Sequence, residues 1–148
     1  MMAPADERRT VFLKDYRPPD YRVETVDLHF DLEESRPRVR SRLVVAGDCG
    51  RSGPSPPLVL QGRKLELLSV KLDGKPLTGR DYRLDGESLT LLPPAGRFLL
   101  EFETACSPAA NTELTGLYRS GGMLCTQCEA EGFRRITFYP DRPDVLAR

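Results

Sequence analysis

Apolar and polar residues alternate along most of this chain with a period of two. In "VDLHFDLE" (residues 26–33) every second residue is apolar, which predicts a half-buried strand with Val26, Leu28, Phe30 and Leu32 inward. The same alternation in "RFLLEFETA" (residues 97–105) predicts an inner face of Phe98, Leu100 and Phe102. No window of ten or more residues has a helical period. The pattern therefore predicts an all-β fold with little or no helix.

Turn signals separate these strands at intervals of about 8 to 12 residues, a spacing typical of β-sandwiches. A strand from Tyr21 to Glu33 and a second in "RVRSRLVVAG" predict a long antiparallel hairpin. Asp73-Gly74 and Asp85-Gly86 are each flanked by apolar alternation, the strongest short-range hairpin signal. We therefore expect a multi-sheet β-sandwich of short antiparallel strands.

The length of 148 residues suits one domain. Residues 1–14 are predicted to be a flexible lead and residues 15–148 the β domain, entered by an extended "DYRPPDY" because Pro18 and Pro19 disfavour helix. The N-terminus lacks the apolar stretch of a secretory signal, and no run approaches the roughly 18 apolar residues of a membrane helix. We expect a cytoplasmic chain, or one lacking its native start, with no membrane partner.

Charge and histidine content exclude several function classes. Lys plus Arg total 22 and Asp plus Glu total 22, so no net charge attracts the chain to nucleic acid or to anionic membranes. A His-Glu-x-x-His zinc site needs two histidines, and the chain has one, His29. The alternation around His29 predicts a solvated position on the polar face of its strand.

The stretch "CTQCEAEGF" (residues 125–133) allows several interpretations. Its Cys-x-x-Cys supplies two thiolates, whereas a structural zinc needs four ligands, and no second pair accompanies Cys49 or Cys106. A redox pair needs a helix N-terminus in a βαβ unit, which the pattern does not predict. In an extended segment Cys125 and Cys128 would also lie on opposite faces. Half-buried thiols without a metal are therefore the preferred interpretation.

The two-residue period of a strand places Gln127 and Glu129, in the same stretch, on one face. Gln127 and Glu129 are two residues apart, so a strand would present both on one face, and Glu131 would continue that face if the strand continued. An amide oxygen beside a carboxylate complements a ligand with several N–H donors and a positive charge, such as a primary ammonium. A polar strand face in water would have the same spacing, so the pattern alone leaves both interpretations open.

The segment "GLYRSGGMLCTQCEAEGFRRITFYPDRPDVLAR" resembles the aminopeptidase N family of zinc-dependent, gluzincin-type peptidases, in particular its bacterial cytoplasmic branch. "DYRPPDY", "DLHFDL" and "SPAANTELTGLY" extend the resemblance over about residues 15–148. It implies the N-terminal, saddle-shaped β domain of such an enzyme, which packs against a thermolysin-like catalytic domain. By that resemblance Gln127 and Glu129 border the first substrate pocket and bind the peptide's free α-amine, whereas Cys128 has no ligand role.

The zinc motif of the family is absent from these 148 residues. The resemblance therefore implies that zinc and the catalytic residues belong to the full-length enzyme and that this chain alone is inactive. Its expected partners are the catalytic domain of the same polypeptide and the N-terminus of a peptide substrate. For Glu131 we favour a structural role. Two alternatives stay open: a free-standing β-sandwich that binds protein or carbohydrate without catalysis, and a small zinc module built on the cysteines.

Overall fold

The structure, a computed structural model, describes residues 12–47 and 53–148. Within these ranges, residues 13–15, 108–110 and 133–135 form single 3-10 turns, and the remaining regular structure is strand. The prediction of an all-β fold is confirmed. The strands are β1 (Tyr21–Asp31), β2 (Arg38–Gly47), β3 (Leu58–Gln61), β4 (Glu66–Leu72), β5 (Lys75–Pro76), β6 (Tyr82–Leu84), β7 (Ser88–Leu91), β8 (Arg97–Ala105), β9 (Gly116–Ser120) and β10 (Met123–Gln127).

Three antiparallel sheets make up the fold. The largest has the order β1-β2-β8-β4-β5, the second has the order β3-β7-β6, and β9 and β10 form a separate hairpin. The predicted long hairpin is confirmed, because β1 pairs with β2 from Tyr21 opposite Gly47 to Asp31 opposite Arg38. Long-range pairing between β2 and β8 then places both of these strands inside the large sheet, with β1 at its edge.

The main core lies between the two larger sheets, as expected for a sandwich. Phe98, Leu100 and Phe102 of β8 are buried, which confirms the inner face predicted for this strand. The ring of Phe102 lies 5.7 Å from that of Phe138, which comes from the segment after the last 3-10 turn. Other buried members of this core are Val23, Leu43, Val45, Val70, Leu58, Leu60, Leu89, Leu91, Tyr139 and Val145.

The two Asp-Gly sequences both form hairpins but use different turn chemistry. Asp73 and Gly74 have φ angles of 48° and 77°, the left-handed pair that a two-residue hairpin turn requires. Asp85 instead accepts hydrogen bonds from the amides of Glu87 and Ser88, at 2.9 and 2.7 Å, through its carboxylate. A side chain thus closes the second turn, although both hairpins were predicted from the same dipeptide.

The outer half of β1 differs from the sequence prediction. Leu28 is half-buried, but Phe30 is 37% exposed and Leu32, beyond the end of β1, is 51% exposed. The predicted inward positions of Phe30 and Leu32 are therefore wrong, because β1 is an edge strand and its end, after Leu28, lies outside both apolar clusters. His29 is exposed, as the alternation predicts.

Two predictions concern residues that the structure does not describe. The flexible lead of residues 1–14 lies mostly within residues 1–11, and Cys49 lies within residues 48–52. Across residues 12–47 and 53–148, no helix has the length and apolar character needed to span a bilayer.

Candidate functional site

The β9–β10 hairpin carries the candidate site. Its pairing runs from Ser120 opposite Met123 at the tip to Gly116 opposite Gln127 at the base. A second apolar cluster, formed by buried Val39, Leu117 and Ile136, joins the base to the large sheet. Beside this cluster the buried hydroxyl groups of Ser41 and Thr137 share a hydrogen bond of 2.7 Å. The base of the hairpin is therefore fixed, while its tip is exposed.

Gln127 is the last residue of β10, and Glu129 lies in the turn that follows it. The amide of Gly132 donates to the carbonyl of Cys128 at 2.9 Å, which closes a turn over residues 128–132. Glu131 has a φ of 60°, outside the range of a strand, and the Glu129–Ala130 peptide bond is cis. The expectation that one strand could carry Gln127, Glu129 and Glu131 is therefore wrong, because the chain turns after Gln127.

The start of this turn exposes the two residues on either side of Cys128. The side chains of Gln127 and Glu129 are exposed, whereas Cys128 between them is half-buried and packs against the second apolar cluster. Among the described residues, neither Gln127 nor Glu129 has a side-chain hydrogen bond or an ion pair. The turn thus presents an amide oxygen and a carboxylate to solvent with their acceptor capacity unused.

The other charged groups of the turn are already paired. Arg134 donates from its Nε to the Asp141 carboxylate at 2.9 Å and from its guanidinium to the Asp141 carbonyl at 3.0 Å. The same guanidinium lies 3.4 Å from the carboxylate of Glu131. Glu131 therefore shares Arg134 with Asp141, whereas Glu129 has no ion pair among the described residues.

The cysteines of this region are free thiols. Cys106, Cys125 and Cys128 are half-buried and form no disulfide with one another. Burial raises the pKa of the Cys106 and Cys128 thiols, so both favour the protonated form. Within the described part of the chain, no three or more His, Cys, Asp or Glu side chains are grouped to hold a metal ion.

A set of residues that the sequence analysis did not identify lies behind the turn. The guanidinium of Arg135, whose side chain is 6% exposed, donates to the Glu113 carboxylate at 2.5 Å. Lys64 also donates to this carboxylate, and Arg63 lies 3.5 Å from it. These residues come from three distant parts of the sequence, so no local spacing could have indicated the contact.

Comparison with known proteins shows which proteins the whole chain is similar to. No model of a known protein family matches the chain. Aminopeptidase N of Caulobacter vibrioides is 48% identical over 143 residues, which cover 97% of this chain. The chain is homologous to a segment of aminopeptidase N. That segment is 16% of the Caulobacter aminopeptidase N, so the chain spans about one sixth of the length of this relative.

Solved structures agree with this homology to aminopeptidase N. A crystal structure of Legionella pneumophila aminopeptidase A in complex with aspartic acid has a TM-score of 0.82 and 35% identity, and the match covers 91% of this chain and 16% of that one. An M1 zinc metallopeptidase of Deinococcus radiodurans bound to a Tyr-Ser-Ala substrate has a TM-score of 0.69 at 17% identity, with 86% of this chain and 31% of that one covered. The latter likeness shows the fold alone.

Proposed function

We propose that this chain is the N-terminal β domain of a zinc-dependent aminopeptidase that releases N-terminal amino acids from peptides, and that Gln127 and Glu129 bind the α-ammonium group of the substrate. The observation that carries the proposal is the 48% identity with Caulobacter aminopeptidase N over 97% of the chain, which includes this turn. The side-chain oxygens of Gln127 and Glu129 form no other hydrogen bond among the described residues, so they are available to accept hydrogen bonds from the ammonium group.

An exopeptidase must recognise the end of a peptide, and a free α-ammonium marks that end. Removing an ammonium from water is costly unless acceptors with negative charge replace its hydration. Glu129 supplies the charge, and the amide oxygen of Gln127 supplies a neutral acceptor beside it. A carboxylate that comes from outside the catalytic domain also closes one side of the pocket, so an internal peptide segment would not fit.

The Legionella aminopeptidase A structure holds a ligand of this chemical class, since aspartic acid carries a free α-amino group. The larger polypeptide would supply what this chain does not, since the described residues contain no side-chain group suited to a metal. Zinc in the catalytic domain would activate the attacking water. The partners of this chain are therefore that catalytic domain and the amino end of a peptide, and the isolated chain would not hydrolyse peptides.

A chimaeric enzyme tests the proposal. The matching segment of Caulobacter aminopeptidase N is replaced by this chain, and hydrolysis of an amino acid p-nitroanilide is measured. Glu129→Gln should lower kcat/KM about 10- to 100-fold, the range for one hydrogen bond to a charged group. Gln127→Ala should lower it less, because a neutral acceptor is lost. Glu33→Gln is the matched control, because Glu33 is also an exposed carboxylate, and it should change nothing.

Two results would contradict the proposal. An inactive chimaera that is folded and loaded with zinc would show that this chain cannot replace the aminopeptidase segment. Unchanged kcat/KM in both Gln127→Ala and Glu129→Gln would remove the role of the turn in binding the α-ammonium group. The isolated chain, assayed alongside, should show no hydrolysis above background.

A further inference from the structure

An ion cluster of four side chains includes Arg135, whose amide donates to the carbonyl of Gly132 at the end of the turn that holds Glu129. We name it the Glu113 cluster; its members are Glu113, Arg63, Lys64 and Arg135. The Glu113 carboxylate is contacted by all three cations, with Arg135 at 2.5 Å and Arg63 at 3.5 Å. The Arg135 side chain is only 6% exposed, whereas those of Arg63 and Lys64 are 43% and 60% exposed.

The Glu113 cluster connects three segments that are far apart in sequence. Arg63 and Lys64 lie between β3 and β4, Glu113 lies in the loop before β9, and Arg135 ends the 3-10 turn that follows residues 128–132. One backbone contact joins the first and third segments, since the amide of Arg63 donates to the carbonyl of Arg134 at 2.8 Å. The loop of Glu113 is joined to both of them through the Glu113 side chain.

Apart from the ion pairs of Glu113, the side-chain hydrogen bonds of this loop stay within residues 111–117. The Asn111 side-chain amide donates to the carbonyls of Thr115 and Leu117 at 2.7 and 2.9 Å, and its oxygen accepts from the amide of Glu113 at 3.2 Å. Leu114 adopts a φ of 55°, which is unfavourable for a leucine. These bonds fix the shape of the loop, but they do not fix its place on the rest of the molecule.

Two glycines, Gly116 and Gly132, place the backbone of the candidate site in close contact with Arg135 and with the loop of Glu113. Gly116 is paired with Gln127, and a Cβ atom on Gly116 would lie 2.4 Å from the Cβ atom of Arg135. Gly132 ends the turn of Glu129, and a Cβ atom there would lie 2.9 Å from the methyl group of Thr115. The backbone on each side of the site is thus in direct contact with Arg135 or with the loop of Glu113.

We propose that the Glu113–Arg135 ion pair, supported by Lys64 and Arg63, is a positioning element that sets the geometry of Gln127 and Glu129 for ammonium binding. The inference rests on the proposed function and extends it to residues that do not touch the substrate. Glu113 holds the loop of Gly116 against Arg135, and that contact fixes the base of the hairpin at Gln127. Without the carboxylate, buried Arg135 loses its partner and lies near Lys64 and Arg63, of which only Arg63 keeps a carboxylate, Glu87 at 3.7 Å. This arrangement favours separation of the three segments.

Backbone amide exchange in the isolated chain tests the positioning step. The reporters are the amide of Gly132, bonded to Cys128, and the amide of Arg63, bonded to Arg134. Glu113→Gln should accelerate exchange at both by about tenfold or more, through local opening. The amide of Leu77, bonded to the carbonyl of Val70 at 2.9 Å in a distant hairpin, should be unaffected. Glu66→Gln is the matched control, because it also removes a carboxylate that is paired with an arginine, Arg36.

The chimaeric enzyme supplies the readout that a purely structural role would not change. Glu113→Gln should raise KM about fivefold with kcat nearly unchanged, because a displaced site weakens substrate and transition state alike. Glu113→Asp retains the charge and should restore most of the loss. If Glu113→Gln does not fold, Lys64→Met weakens the same carboxylate contact from an exposed position and should give a smaller change of the same kind.

The outcomes separate this inference from the proposed function. If Glu129→Gln impairs the enzyme but Glu113→Gln changes neither the reporter amides nor KM, the positioning role is wrong and the function stands. If Glu129→Gln has no effect, the function fails whatever Glu113→Gln does to amide exchange. Equal acceleration at Leu77 and at the two reporters would indicate global destabilisation and would overturn the inference.

Discussion

Gly116 is the position where the structure makes its most quantitative prediction. Its φ is 74°, a left-handed conformation, and it faces Gln127 across the hairpin. Replacing Gly116 by alanine adds a Cβ atom that would lie 2.4 Å from the Cβ of Arg135, 3.2 Å from its carbonyl oxygen and 3.3 Å from its carbonyl carbon. The atoms that would have to move are therefore mainly backbone or directly attached to it, so the overlap is difficult to relieve.

The cost of Gly116→Ala has two parts. The left-handed backbone costs a residue with a Cβ atom about 1–2 kcal/mol. Overlap at a packed site costs a further 1–3 kcal/mol or so. The free energy of unfolding should therefore fall by roughly 2–5 kcal/mol, a large part of the 5–15 kcal/mol typical of a domain.

Gly74→Ala is the matched control for this prediction. Gly74 has a φ of 77°, and no atom lies within 4 Å of a Cβ atom placed on it. It should therefore show the backbone cost alone. Urea unfolding followed by circular dichroism measures both variants, and the difference between them isolates the overlap with Arg135. Equal losses of stability in the two variants would refute the contact between Gly116 and Arg135.

Three further predictions follow from buried or charged groups. Ser41→Ala removes one partner of the buried hydroxyl pair with Thr137 and should lower the free energy of unfolding by about 1–3 kcal/mol. The double variant Ser41→Ala with Thr137→Val should lose less stability than the two single variants combined, which a double-mutant cycle measured by urea unfolding would show. The raised pKa of Cys128 predicts that iodoacetamide alkylates it more slowly in the native chain than in urea, which mass spectrometry would detect, and equal rates would contradict its burial. Hydrogen bonds from the amide of Glu87 and from the hydroxyl and amide of Ser88 lower the pKa of Asp85. The stability that Asp85 contributes is therefore present above the ordinary aspartate pKa and is lost as pH falls through the lowered value. Asp85→Asn should remove this part of the acid dependence of the free energy of unfolding, measured by urea unfolding at several pH values.

The strands were accessible to sequence reasoning because local alternation and local turns determine them. Phe98, Leu100 and Phe102 are buried as their spacing predicts, and both Asp-Gly hairpins form. The prediction failed at Phe30, where the strand pattern continues but none of the described residues forms a second layer over the side chain. Alternation shows which side chains share a face of a strand, whereas burial also depends on how far the opposite sheet extends.

The candidate site could be predicted only in part, because a local sequence pattern does not show contacts between distant segments. The two-residue spacing predicts a strand through Gln127 and Glu129, but β10 ends at Gln127 and a turn holds Glu129. The contacts that fix this turn are non-local: Arg135 meets Glu113 across 22 positions, and Arg63 approaches the same carboxylate from another loop. Such contacts leave no period in the sequence, so they become visible only when the three segments are placed together.

The distribution of ion pairs around the turn gives an energetic reason to place ammonium recognition at Glu129. Asp141 and Glu131 share Arg134, and Glu113 is held by Arg135, so an external cation would have to compete with an arginine for each of these carboxylates. Glu129 has no such competitor among the described residues. Under the proposed function, a ligand ammonium at Glu129 would displace only water, and the free energy of the new charged hydrogen bond would not be reduced by the loss of an existing ion pair. Among these four acidic residues, Glu129 is the one whose charge remains available for an incoming peptide.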